Sequence, residues 1–213
     1  MAYKFALQSE VTEANKWCLE VLHGVQKELR SYFTFDIRLI GSGEKKLVTQ
    51  NGNEPFDLDY NLILQRDKQD LLNNPKRIKE LFRQAFDVIL EDKLDGYNNY
   101  DQHVSDSSSV ITIKILYDNR LDFSFDVAII VEANDGFFYL LKNDKTSNRY
   151  LWNQVKSSKN YFTRYQSLKE NGQFEQFKEN YLDLKNRHLR KNDGVKSFSI
   201  FLETLNLFCK ESK

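Results

Sequence analysis

Two aspartates set inside an otherwise apolar segment constrain this chain more than any other feature. The segment Phe56–Leu64 reads FDLDYNLIL, and its apolar residues call for a strand half-buried in a sheet. Because a strand repeats every two residues, Asp57 and Asp59 project from the same face, ~6.5–7 Å apart along the strand. A third acid, Asp126, lies in the equally apolar FDVAII of the segment Leu121–Glu132, LDFSFDVAIIVE. Carboxylates crowded on one sheet face repel each other unless a cation neutralises them. Hard oxygen donors suit Mg²⁺ or Mn²⁺, and a pair of such ions ~3.5–4 Å apart is the arrangement that three acids on one face invite. The competing reading is structural: Asp57 and Asp59 on the solvated face of an edge strand, with Asp126 paired to a Lys or Arg. Asp122, four residues before Asp126 in the same segment, is a rival for the third position. The more apolar flanks of Asp126 favour the latter.

The remaining segments place these acids in a mixed sheet. Gln8–Tyr32 predicts an amphipathic helix, with Val11, Ala14, Cys18, Val21, Leu22, Val25 and Leu29 at helical spacing. Phe33–Ile40 (FTFDIRLI) predicts a strand running directly into Gly41-Ser42-Gly43. Asn74-Pro75 opens a second helix carrying Ile78, Leu81, Phe82, Ala85, Phe86, Ile89 and Leu90. Ser109–Leu116 (SVITIKIL) alternates as a strand, residues Tyr117 to Arg120 form a turn, and Phe137–Leu141 adds an edge strand. From Tyr150 onward the pattern reads as helical. The strand–helix–strand–strand order favours an α+β fold, a mixed β-sheet flanked by helices and followed by a C-terminal helical part. The division is expected near residue 148, giving segments 1–148 and 149–213.

Composition excludes several classes. The 213 residues carry 31 basic and 31 acidic side chains, so no global positive field draws in nucleic acid. Cys18 and Cys209 lie near opposite ends with no CxxC, so a zinc site is excluded and two reduced thiols are expected. No stretch approaches the ~20 apolar residues of a membrane span. The start, MAYKFALQSEV, has one early Lys and no apolar run, so a cytoplasmic protein without a membrane partner is expected. His23, His103 and His188 are scattered without ligand spacing and read as structural or surface residues. Tyr161, Phe162 and Tyr165 read as a core stripe before a base-stacking one. No Ser/His/Asp triad, Walker loop or dinucleotide fingerprint is present.

One loop changes the balance between the two readings of the acids. Gly41-Ser42 directly follows a strand, where backbone amides and a hydroxyl can approach a phosphate. Taken together, LIGSG…FDLDYNL…FDVAII resembles the polymerase-beta-type nucleotidyltransferase superfamily. Its pattern is an apolar residue, Gly, Gly/Ser, a spacer, Asp-x-Asp/Glu and a later strand Asp. The order SSVITIKILYDNRLDFSFDVAII and the later YLDLKNRHLRKNDGVKSFSIFLETL are similar to the branch of oligoadenylate synthetases and bacterial nucleotide second-messenger synthases. The spacer from Ser42 to Asp57 is slightly longer than that pattern, and the helical part is short for the branch.

The resemblance implies a nucleotidyltransferase fold and a definite set of roles. Asp57 and Asp59 would hold both divalent ions, with Asp126 completing the one that activates the acceptor hydroxyl and assisting as a base. Gly41 and Ser42 would grip the β/γ-phosphates of a nucleoside triphosphate, and Lys185 and Ser197 would contact the triphosphate from the helical part. The product would be a transferred nucleoside monophosphate plus pyrophosphate. The acceptor stays open among a nucleotide, an RNA end, a small molecule and a protein side chain. The alternative function is a catalytically silent nucleotide-binding or interaction module on the same fold.

Overall fold

A computed structural model describes residues 2–95, 100–147, 149–155 and 159–211. These residues cluster into two compact units, each assembled from separated stretches of chain. The larger comprises Ala6–Val48 and Pro55–Val155; the smaller comprises Met1–Phe5, Thr49–Glu54 and Lys156–Lys213.

In the larger unit the elements are α1 (Gln8–Glu28), β2 (Phe33–Ile40), a short α2 (Gly41–Lys45), β4 (Asp57–Asp67), α3 (Pro75–Leu94), β5 (Tyr100–Asp106), β6 (Ile111–Tyr117), β7 (Arg120–Glu132), β8 (Phe138–Asp144) and β9 (Arg149–Gln154). The sheet runs β2-β4-β7-β6-β5, with β8 added to β7 and β9 to β8. The β4–β7 pair is parallel and the other described pairs are antiparallel, so the sheet is mixed as expected.

One face of this sheet is covered by both long helices. Val21, Leu22 and Val25 of α1 and Phe82, Ala85 and Phe86 of α3 pack on Phe35, Leu58, Tyr60, Leu62, Ile113, Phe125 and Val127 in one buried cluster. Strand alternation then assigns the opposite face to Asp57, Asp59, Ser124, Asp126 and Thr112. Farther along, that second face turns apolar with Ile63, Ala128 and Ile130. The β6–β7 hairpin turns through Asp118 and Asn119, both at positive φ (49° and 60°), the arrangement a tight two-residue hairpin turn requires. Asn74 caps α3 by accepting from the Arg77 amide, with Pro75 in the first turn.

Two elements differ from the sequence reading. Residues from Tyr150 were expected to be helical, yet Arg149–Gln154 is a strand, and helix begins only at Lys159. Tyr150 and Trp152 alternate with the exposed Arg149, Leu151 and Asn153 and seat on the core, the Trp152 indole donating to the Leu72 carbonyl at 2.8 Å. This makes β8 an interior strand between β7 and β9 where an edge strand was expected.

In the smaller unit β1 (Tyr3–Phe5) pairs antiparallel with β3 (Thr49–Asn51) beside α4 (Lys159–Glu170), α5 (Phe174–Lys191) and α6 (Ser197–Glu211). Tyr165, Phe177, Phe201 and Phe208 form its aromatic core. Phe162, the outer member of the expected stripe, stays exposed. Among the described residues no helix is long and apolar enough to cross a membrane.

Candidate active site

The parallel pairing of β4 with β7 sets Asp59 directly opposite Asp126, and Asp57 opposite Ser124. Strands pair ~4.8 Å apart, so the three carboxylates occupy one small patch of the face opposite α1 and α3. Two of them are steadied by hydroxyls on that face. Ser124 Oγ donates to Asp57 Oδ1, and Thr112 Oγ1, from β6, donates to Asp126 Oδ1 at 2.6 Å. Asp122 is exposed and precedes the first β4–β7 pair, so the register brings Asp126, and not Asp122, to Asp59.

On the other side of β4, antiparallel β2 ends with Ile40 opposite Asp59. Gly41 therefore turns the chain against that carboxylate. It has φ +66°, and a Cβ built there would lie 2.6 Å from Asp59 Oδ2, so this position excludes a side chain twice over. Gly41–Lys45 then forms the five-residue α2, closed by the Leu47 amide donating to the Ser42 carbonyl at 2.9 Å. The expected Gly-Ser turn is thus the start of a helical turn beside the acids.

No protein-family model matches the chain, and no curated protein sequence matches it. Solved structures do. Escherichia coli MS115-1 CdnC with ATP superposes with a TM-score of 0.59 at 15% identity, over 98% of this chain and 62% of that one. Escherichia coli DncV in its 3′-deoxy GTP bound form gives 0.54 at 14%, over 88% and 50%. Vibrio cholerae DncV cyclic AMP-GMP synthase, in complex with the linear intermediate pppA(3′,5′)pG, gives 0.51 at 13%, over 82% and 47%. The chain has a nucleotidyltransferase fold. It spans about half to three-fifths of the length of these nucleotidyltransferase-fold structures.

Within this nucleotidyltransferase fold the acids carry an electrostatic load. The Asp59 carboxyl is pushed up to about 6, chiefly by burial, then by the charges of Asp126 and Asp57, with Lys45 pulling the other way. Asp126 is also raised, again by burial first, while the Thr112 hydrogen bond and the charge of Lys114 oppose the rise. Such strain is what a bound cation would relieve. Among the described residues no three acidic, histidine or cysteine side chains converge tightly enough to enclose an ion as they stand. The chemistry of the donor set fits a divalent cation nonetheless: hard oxygens on adjacent strands, each raised carboxyl disfavoured by the charge of its neighbours.

Sequence reasoning missed Ser124, Thr112 and Lys45. The first two carried a usable signal, since Ser124 precedes Asp126 by one strand period and Thr112 alternates with buried isoleucines. Lys45 is buried on α2, where its Nζ reaches the Gly41 carbonyl at 3.3 Å and Glu44 at 3.1 Å.

Lys185 and Ser197 belong to the smaller unit, where both touch Tyr181. Lys185 is buried on α5, donates to Thr49 Oγ1 at 2.6 Å and lies 4.4 Å from the Tyr3 ring and 5.8 Å from the Tyr181 ring. Burial pulls its amine down to about 8. Ser197 is exposed at the start of α6 and hydrogen-bonds the Tyr181 phenol.

Proposed function

We propose that the chain transfers a nucleoside monophosphate from a nucleoside triphosphate to a hydroxyl acceptor and releases pyrophosphate. The observation that carries this reading is the register placing Asp59 against Asp126, with Gly41 packed on the Asp59 carboxylate. Asp57, Asp59 and Asp126 are the residues that would hold Mg²⁺ or Mn²⁺. When bound, the ions lower the pKa of the acceptor hydroxyl and neutralise the departing pyrophosphate.

The protein's own groups do the rest. The Gly41-Ser42 turn holds the β/γ-phosphates on the β2 side of the acids, with the Ser42 hydroxyl as donor. Asp126 Oδ1 is engaged by Thr112, which leaves Oδ2 to take the proton from the acceptor hydroxyl. The acceptor oxygen bonds to the α-phosphorus as the α–β bridging P–O bond breaks, and the electron pair leaves with pyrophosphate. For Lys185 and Ser197 the proposed contact with the triphosphate rests on the sequence resemblance alone.

The bound ATP, GTP analogue and linear dinucleotide of the structural neighbours support a triphosphate donor here. The test is pyrophosphate release from labelled nucleoside triphosphates with Mg²⁺ or Mn²⁺, comparing wild type with Asp59→Asn. Activity in wild type that falls by orders of magnitude in the variant supports the proposal. Triphosphate binding without pyrophosphate release from any acceptor would replace it with the silent binding-module reading.

A further inference from the structure

In the smaller unit, one histidine sits between two carboxylates. His188 lies in the last turn of α5, with its Nδ1 2.7 Å from Asp193 Oδ2 and its Nε2 3.2 Å from Glu203 Oε2. Asp193 belongs to the turn that joins α5 to α6, and Glu203 to α6 itself. One ring therefore meets all three parts of the α5–α6 corner.

Hydrogen-bond chemistry dictates the charge of that ring. An ionised carboxylate only accepts, so both ring nitrogens must donate, and only the imidazolium carries two N–H groups. The neutral ring keeps one N–H and turns a lone pair toward the other carboxylate. The shorter contact, to Asp193, keeps the proton, so the partner released is Glu203 on α6.

The start of α6 hangs on that partner. The turn before it bends through two residues at positive φ, Asn192 at 51° and Gly194 at 67°, and Asp193 Oδ1 accepts from the Val195 amide at 3.3 Å. Ser197 opens α6 and hydrogen-bonds the Tyr181 phenol of α5. Glu203–His188 is a second tie between the same two helices. Of the two, the His188 tie is the one carried by a group that titrates near neutral pH.

The charges that bear on the ring are those of Asp193 in the turn and Glu203 on α6. Lys191, at the end of α5, helps to lower the Asp193 carboxyl. On α5 itself Arg187 is engaged by Asp183 at 2.9 Å, while Arg190 and, in the turn, Lys196 are exposed. Among the described residues, α4 and the β1–β3 pair add no charge to the ring.

We propose that His188 is a pH-sensitive latch of the smaller unit, closed on Asp193 and Glu203 together as the imidazolium and opened at Glu203 when the proton leaves. The Asp193 hydrogen bond first, and Glu203 after it, hold the ring's pKa above the ordinary 6.5. The folded value is the higher one, so the stabilisation is complete below about 6.5 and is lost as pH rises through the folded value. The latch is independent of the transferase reading.

The experiment titrates the histidine rings of the full chain by NMR, with His188→Gln assigning the His188 signal. In parallel, hydrogen exchange at about pH 6 and about pH 8.5 reports the protection of the Ser199 and Ile200 amides, which donate to the Lys196 carbonyl at 2.9 and 3.2 Å. Rates are corrected for the intrinsic pH dependence of exchange. His188 is expected to titrate above 6.5, and protection to fall roughly two- to fivefold at the higher pH, the worth of an exposed ion pair. His188→Gln removes the pH dependence. Glu203→Gln removes it differently: its amide donates to the neutral ring, so protection stays high at both pH values. A His188 midpoint at or below 6.5 overturns the latch. So does protection that depends on pH as strongly in His188→Gln or in Glu203→Gln as in wild type.

Discussion

Replacing Asp59 with Asn should stabilise the metal-free protein, and the structure gives the size of the effect. Burial and two neighbouring carboxylates hold the Asp59 carboxyl up at about 6, against an ordinary 3.8. Each pH unit between those values is worth about 1.4 kcal/mol, so ionising Asp59 in the fold costs on the order of 3 kcal/mol. Screening at the exposed edge of the side chain brings a realistic figure to roughly 1–2 kcal/mol. The sign follows from linkage. The folded protein holds its proton over a window in which the unfolded chain has lost it, so stability declines as pH rises from about 4 to about 6 and stays reduced above. Asn has no charge to bury and escapes that decline. Thermal melting in EDTA at pH 7.5 should show Asp59→Asn above wild type by a few degrees, at roughly 2–4 °C per kcal/mol for a chain of this size. The gap should close below pH 4, where wild-type Asp59 is protonated in both states. With saturating Mn²⁺ the order should reverse, because wild type gains binding energy that the variant lacks. A variant no more stable than wild type in EDTA at pH 7.5 would refute the claim that Asp59 is held under charge strain.

Further expectations test neighbouring parts of the account. Ser42→Ala should weaken triphosphate affinity by roughly 10- to 100-fold, the loss of a hydrogen bond to a charged group, with the fold intact by circular dichroism; unchanged affinity would make the Gly-Ser turn structural only. Asp126→Asn should reduce pyrophosphate release by orders of magnitude while Asp122→Asn, exposed and outside the β4–β7 ladder, remains near wild type; equal losses would contradict the register argument. Asp106→Ala should lower stability by about 3–5 kcal/mol in urea titration, because it strands the buried Lys79 ammonium now paired at 2.6 Å; a loss below about 1 kcal/mol would show that the pair behaves as a surface one.

The sequence made the acids legible because a carboxylate inside an apolar strand is costly unless it has work to do, and Asp57, Asp59 and Asp126 each broke a buried run. Residues whose side chains only refine the site were harder to see. Thr112, Lys114 and Ser124 occupy alternate positions of strands, where polar residues ordinarily face water. Their meaning appears only once β4, β7 and β6 are in register, and the β4–β7 pairing joins residues scores of positions apart in the chain. The polar strand β5, YDQHVSD, escaped for a related reason: at the sheet edge it has little apolar alternation to betray it. The long spacer between Ser42 and Asp57 also has a physical account. The chain leaves the sheet unit at Thr49, contributes β3 to the smaller unit, and returns at Pro55.

The most direct test of the central claim is a crystal of the wild-type chain grown with Mn²⁺ and a non-hydrolysable nucleoside triphosphate, measured at the manganese absorption edge. Anomalous peaks are expected at the carboxylates of Asp57, Asp59 and Asp126, with the triphosphate lying toward Gly41 and Ser42. Manganese absent from those carboxylates while the triphosphate is bound would contradict it.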